Sequence, residues 1–206
     1  MTNRRQFIQS GIAVSAASSM GMSLSVAGSS AGEQPETLKL ERFIFDLRFA
    51  EAYDIGQLLG RAGVPISGFA DDLMSLWYDD LDLRWRDAPM AIAGVTLNEA
   101  LFVLETLAMD RGMRLIYRGD HSAVSNGRIA HSLNGPAGML AGLSPRPGDS
   151  TWVSGLAGAL SQCPWPSTER GSLEFVTTET GLALRDVPLC SWIIAPRHVA
   201  TTTKKG

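Results

Sequence analysis

Asp120 and His121 are adjacent in the run Arg118-Gly119-Asp120-His121. An imidazole beside a carboxylate can serve as a general base, because the acid orients the ring and stabilises its charged form. Arg48 or Arg118 could then hold an anionic substrate. The same residues have a second reading without catalysis: a surface histidine, and an exposed ion pair between Arg118 and Asp120. Two further positions belong to the set by location. Asp46 follows the first apolar run and could equally cap the helix after it. Thr96 opens a helix, where backbone N–H groups can receive an anion, and Glu99 three residues on makes a capping box with it.

Other chemistry leaves less trace. Gly148-Asp149-Ser150 resembles the nucleophile block of GDSL-type hydrolases. In that family the block follows the first strand, whereas here it lies deep in the chain, where Asp149 or Ser150 can cap the helix carrying Trp152. No G-x-G-x-x-G follows the first strand, the phosphate-binding loop, the C-x-x-C pair and the H-E-x-x-H helix are absent from the chain, and no G-x-S-x-G elbow lies within 40–198. Three histidines and two cysteines, widely spaced, form no recognisable metal set. No cofactor is evident.

The elements that must position these residues alternate. Phe43-Ile44-Phe45 is a short apolar strand. Ala52, Ile55, Leu58, Leu59 and Ala62 follow helical spacing, and Gly63 ends that helix. Val64–Phe69 is a second strand. Asp71 or Asp72 caps a helix with Leu73, Leu76, Trp77 and Leu81 on one side. Met90–Val95 is a third strand, followed by the most regular helix (Leu97, Ala100, Leu101, Leu104, Leu107, Ala108). Met113–Tyr117 is a fourth strand. Because parallel strands need long, usually helical crossovers, the pattern predicts an α/β fold: a doubly wound, mostly parallel sheet with helices on both faces. An irregular C-terminal part, with strands at Ile129–Leu133, Leu173–Thr177 and Cys190–Ile194, is expected to add edge strands. Ligands of such sheets bind beyond the carboxyl ends of the strands. That places Asp46, Arg48, Thr96, Arg118, Asp120 and His121 on one prospective rim.

The first thirty residues read as an address. Arg4-Arg5-Gln6-Phe7-Ile8 precedes an uncharged, Gly- and Ser-interrupted stretch to Ala27, and small residues then offer cleavage after Ala27 or Ala31. Charged start, apolar middle and small-residue exit resemble a twin-arginine (Tat) signal peptide. The resemblance implies export to the periplasm in a folded state through the Tat translocon, and it covers only the leader. The apolar stretch is too short and polar for a stable membrane span. The expected organisation is a signal peptide over 1–31, a linker over 32–39, one α/β domain over 40–198 and a mobile tail over 199–206.

The 206-residue chain carries a net charge of −3, and losing the leader would remove two arginines and no acid. An acidic chain without a Lys/Arg cluster does not suit nucleic acid, whose binding rests on phosphate neutralisation. Cys163 and Cys190 could form a disulfide in the periplasm or remain buried thiols. In Trp77–Trp85 three large aromatics lie among three acids and an arginine. Trp77 and Leu81 suit a core, leaving Tyr78 and Trp85 for contact with a partner protein. Taken together, these features fit a non-catalytic accessory or small subunit of a larger exported enzyme, an oxidoreductase. The alternatives are a small hydrolase-like periplasmic enzyme and a solute-binding module, both using the strand-end cleft.

Overall fold

A computed structural model describes residues 38–125, 127–143, 152–162, 169–178 and 187–197. The leader, including Arg4 and Arg5, and the linker up to residue 37 lie outside the described residues, as do the tail from 198, the Gly148-Asp149-Ser150 block and Cys163.

The described part is an α/β fold. In chain order it contains β1 (Leu40–Asp46), α1 (Ala50–Arg61), β2 (Ile66–Phe69), α2 (Leu73–Leu76), a π-helical turn (Trp77–Leu81), α3 (Asp82–Asp87), β3 (Ala91–Leu97), α4 (Asn98–Met109), β4 (Met113–Val124), β5 (Arg128–Pro136), α5 (Ala137–Leu143), α6 (Trp152–Ser161), β6 (Arg170–Thr178) and β7 (Leu189–Pro196). The strands form one seven-stranded sheet in the order β2-β1-β3-β7-β4-β5-β6. β2, β1 and β3 are mutually parallel, as crossovers through α1 and through α2–α3 require. From β3 onward each neighbour is antiparallel.

β6 takes the edge expected of a late strand, with alternate residues exposed along its length. β7 instead enters the middle, between β3 and β4. Its run Leu-Cys-Ser-Trp-Ile-Ile-Ala is buried throughout, the mark of a strand covered on both faces. Because β7 runs against both neighbours, β1, β2, β3 and β4 still point the same way.

Helices cover both faces. On one, α1, α5 and α6 pack Ala52, Ile55, Leu59, Met139, Leu140, Leu156 and Leu160 over Phe43, Phe45, Val95, Tyr117, Leu133 and Ile193. On the other, Trp77, Leu81, Trp85, Leu101, Leu104 and Ala108 cover Ile44, Ile92, Trp192 and Ile194. Left-handed glycines at Gly63 (φ 88°) and Gly112 (φ 71°) turn the chain after α1 and α4, a backbone region that side chains disfavour.

Trp85 is a correction. Its side chain is buried, edge-on to Trp77 with ring centroids 5.8 Å apart. The wider π-helical turn offsets the angular drift of a four-residue repeat, so Trp77, Leu81 and Trp85 all face inward. Tyr78 remains 63 % exposed. Two of the three acids of this segment are paired. Asp80 forms an ion pair with Arg42 at 2.7 Å and also meets Arg84, while Asp82 meets Arg86 at 2.5 Å and Arg111. The acids tie the segment to β1 and to the end of α4. No described helix is long and apolar enough to cross a membrane.

Candidate functional site

Asp120 and His121 do not form a pair. β4 continues through both, and successive side chains on a strand point to opposite faces. Arg118 and Asp120 face the α4 side, whereas His121 faces the α6 side. The expected loop after Tyr117 is extended strand because β7 and β5 both pair with it, out to Leu189 opposite His121 and Arg128 opposite Val124.

On the α4 side the predicted rim residues gather but are mutually satisfied. Thr96, Cys190 and Asp120 occupy one row across β3, β7 and β4, with Asp46 at the end of neighbouring β1. Asp46 is fully buried and does not cap α1, whose N-cap is Phe49. It accepts the Arg48 backbone N–H at 3.0 Å and the Arg48 guanidinium at 2.9 and 2.6 Å. Thr96 makes no capping box, since α4 begins after Leu97 without a side-chain cap. Its buried hydroxyl donates to the Leu97 carbonyl and accepts the Trp192 indole N–H, both at 3.0 Å, so it is not presented to an anion. Arg118 donates to both carboxylate oxygens of Asp120 (2.8–3.1 Å) and to Asn98 Oδ1 at 3.0 Å.

Cys190 is a free, buried thiol that donates to Asp120 Oδ1 at 3.2 Å. A disulfide to Cys163 would involve a residue outside those described. Burial, and then the Asp120 carboxylate, push the Cys190 thiol up to about 12. At Asp120 burial opposes ionisation, but hydrogen bonds from Arg118 and Cys190 outweigh it and hold the carboxyl below its usual range.

On the α6 side His121 belongs to a chain of buried polar groups that crosses four strands. Tyr117 OH lies 3.0 Å from Ser191 Oγ, and Ser191 Oγ lies 2.8 Å from His121 Nε2. His121 Nδ1 is 2.8 Å from His131 Nδ1, and His131 Nε2 is 2.8 Å from Thr177 Oγ1. Trp152 of α6 stacks on His121 with centroids 4.6 Å apart, and Phe175 of β6 stacks on His131 at 4.5 Å. Burial, then repulsion from His131, lowers His121 to about 3, and burial lowers His131 to about 4. Both rings are therefore neutral at physiological pH. A bond between two Nδ1 atoms then needs one N–H and one bare nitrogen, so the two tautomers are coupled. If His121 Nδ1 donates, Ser191 donates to His121 Nε2 and His131 Nε2 donates to Thr177. The reverse polarity is equally satisfied.

A serine oxygen 2.8 Å from an imidazole held by a third group has the geometry of an activated nucleophile. Here Ser191 is fully buried mid-strand and His121 is 2 % exposed under Trp152, so no substrate reaches either atom. His131, Ser191, Tyr117 and Thr177 were not singled out from the sequence. Their signal was parity: His131 shares its face with Ile129 and Leu133, the inward positions of the predicted strand.

The accessible surface lies elsewhere. α4 ends its cover at β4 and β7, and no described element covers the α4-side face of β5 and β6. Along it Asn134, Ser172, Glu174 and Val176 are exposed, and Ser122, Ala130 and Ser132 are half-buried. A shallow groove of about 420 Å³ runs over Asp120, Ser122, Ala130, Ser132, Glu174 and Val176. His131 also borders it but is 2 % exposed. No cluster of three or more metal-ligating side chains occurs among the described residues.

Compared with known proteins, the chain matches no family, no curated protein and no solved structure.

Proposed function

We propose that this chain is a Tat-exported periplasmic protein acting as a non-catalytic accessory subunit of an exported oxidoreductase, and that it docks through the open face of β4, β5 and β6. The observation that carries the docking part is the contrast between the sheet's two sides. The one histidine placed for acid–base work is sealed and neutral, while a shallow surface of small and polar side chains is covered by no described element. Small residues at Ser122, Ala130 and Ser132 let another backbone or a flat side chain approach the sheet closely. The export part rests on the order of charge, apolar stretch and small residues in the leader.

Ala130→Arg together with Ser132→Arg should abolish co-purification with an exported enzyme and leave thermal stability nearly unchanged. If that double variant is still retained by the enzyme as wild type is, the face is not the docking site. Arg4→Lys with Arg5→Lys should leave the chain in the cytoplasm, and normal export of that variant would remove the Tat assignment.

The groove itself favours a second reading, a solute-binding module. About 420 Å³ is room for a small ligand, and hydroxyls flanked by Asp120 and Glu174 suit a polyol or a small cation. Ligand-induced thermal stabilisation tests this directly.

A further inference from the structure

The His121–His131 pair does more than fill the core. It joins β4 to β5 beneath α6, whose Trp152 lies against both rings, and Phe175, the cross-strand neighbour of His131 on β6, stacks beside that ring. Little charge faces the pair. α5 and α6 contain no titratable residue, β7 offers Ser191, β6 offers Thr177, and β4 offers Tyr117. Asp120 and Glu174 occupy strand positions that point to the opposite face, though the Asp120 charge still favours protonation of His121, more weakly than burial and His131 oppose it; Arg170 donates to the Ile116 carbonyl, and Glu51 is the buried carboxylate of α1, which packs on α6.

We propose that these two histidines form an acid-sensitive latch for α6: while neutral they share one proton and hold the helix down, and when protonated they release it. The first proton places a charge among aromatic and apolar groups, and among the described residues the ring nitrogens meet only each other and the Ser191 and Thr177 hydroxyls. The second leaves two N–H groups facing each other and abolishes the only acceptor between the rings. Lifting α6 hydrates both rings and relieves both penalties. The latch stands independently of what docks on the outer face.

Hydrogen exchange of the purified chain, corrected for intrinsic rate, tests it. Between about pH 7 and about pH 5, protection of amides 152–162 should fall at least about tenfold, and at pH 5 these amides should exchange at least about tenfold faster than amides 91–97, through a local opening that low urea does not accelerate. In a His121→Gln, His131→Gln double variant the dependence at 152–162 should disappear. Three results overturn the latch: α6 protection constant to pH 5, α6 and β3 equally protected at pH 5, or pH dependence surviving in the folded double variant. Should that variant not fold, the wild-type comparison of 152–162 with 91–97 decides alone.

Discussion

A methyl group added at Gly119 would come within 2.6 Å of both Ser191 Oγ and Leu133 Cδ2 and 2.7 Å of Tyr117 OH. The glycine is what lets the tyrosine, serine and histidine meet beneath α6. Gly119→Ala should therefore cost about 1–3 kcal/mol and lower the thermal midpoint by several degrees. His121→Ala leaves a cavity and strips partners from Ser191 and His131, for a loss of about 2–4 kcal/mol in urea denaturation. A catalytic histidine on the surface would instead be lost with little change in stability. Cys190 gives a chemical check. With its thiol pushed up to about 12, the folded protein at pH 8 should leave Cys190 unalkylated by iodoacetamide, as read from its own peptide by mass spectrometry, and denaturant should expose it. Prompt alkylation in the native state would contradict both its burial and its bond to Asp120.

Among the elements, the segment Trp77–Trp85 and strand β4 separate what the sequence made legible from what it concealed. Apolar spacing located α1 and α4 because each buries one continuous stripe. It misjudged Trp85 because a π-helical turn changes the angular step, and nothing in a 3.6-residue template anticipates that. Trp85→Ala should accordingly cost about 3–5 kcal/mol, whereas Tyr78→Ala should change stability by less than about 0.5 kcal/mol. Denaturation of the two variants side by side checks the assignment. In β4, Gly119 and Asp120 carry turn-like composition, yet the strand runs through them because pairing on both sides outweighs local preference. Thr96 and Asp46 failed as rim groups for a related reason: each had a nearer intramolecular partner, Trp192 and Arg48.

Across the whole molecule, layer order followed from strand–helix alternation up to β4, where short crossovers leave few arrangements. The place of β7 did not follow, since a long-range antiparallel insertion has no local signature beyond an apolar run. Nor did the polar chain on the α6 side, which assembles Tyr117, Ser191, His131 and Thr177 from four strands. Its consequence is global. Both histidines titrate in the folded state far below their unfolded value of about 6.5, at about 3 and about 4. Between those limits the unfolded chain binds more protons, so stability is greatest above about pH 6.5 and falls as pH drops toward 4. Urea midpoints measured stepwise from pH 7 to pH 4 should show that decline, and the His121→Gln, His131→Gln variant should flatten it. The central claim concerns the opposite face. A photo-crosslinking residue at position 130, expressed in cells exporting the chain, is predicted to give one discrete heavier species containing an exported enzyme, with none from position 83 on exposed α3. No adduct from position 130, or the same adduct from both positions, would contradict docking through β4, β5 and β6.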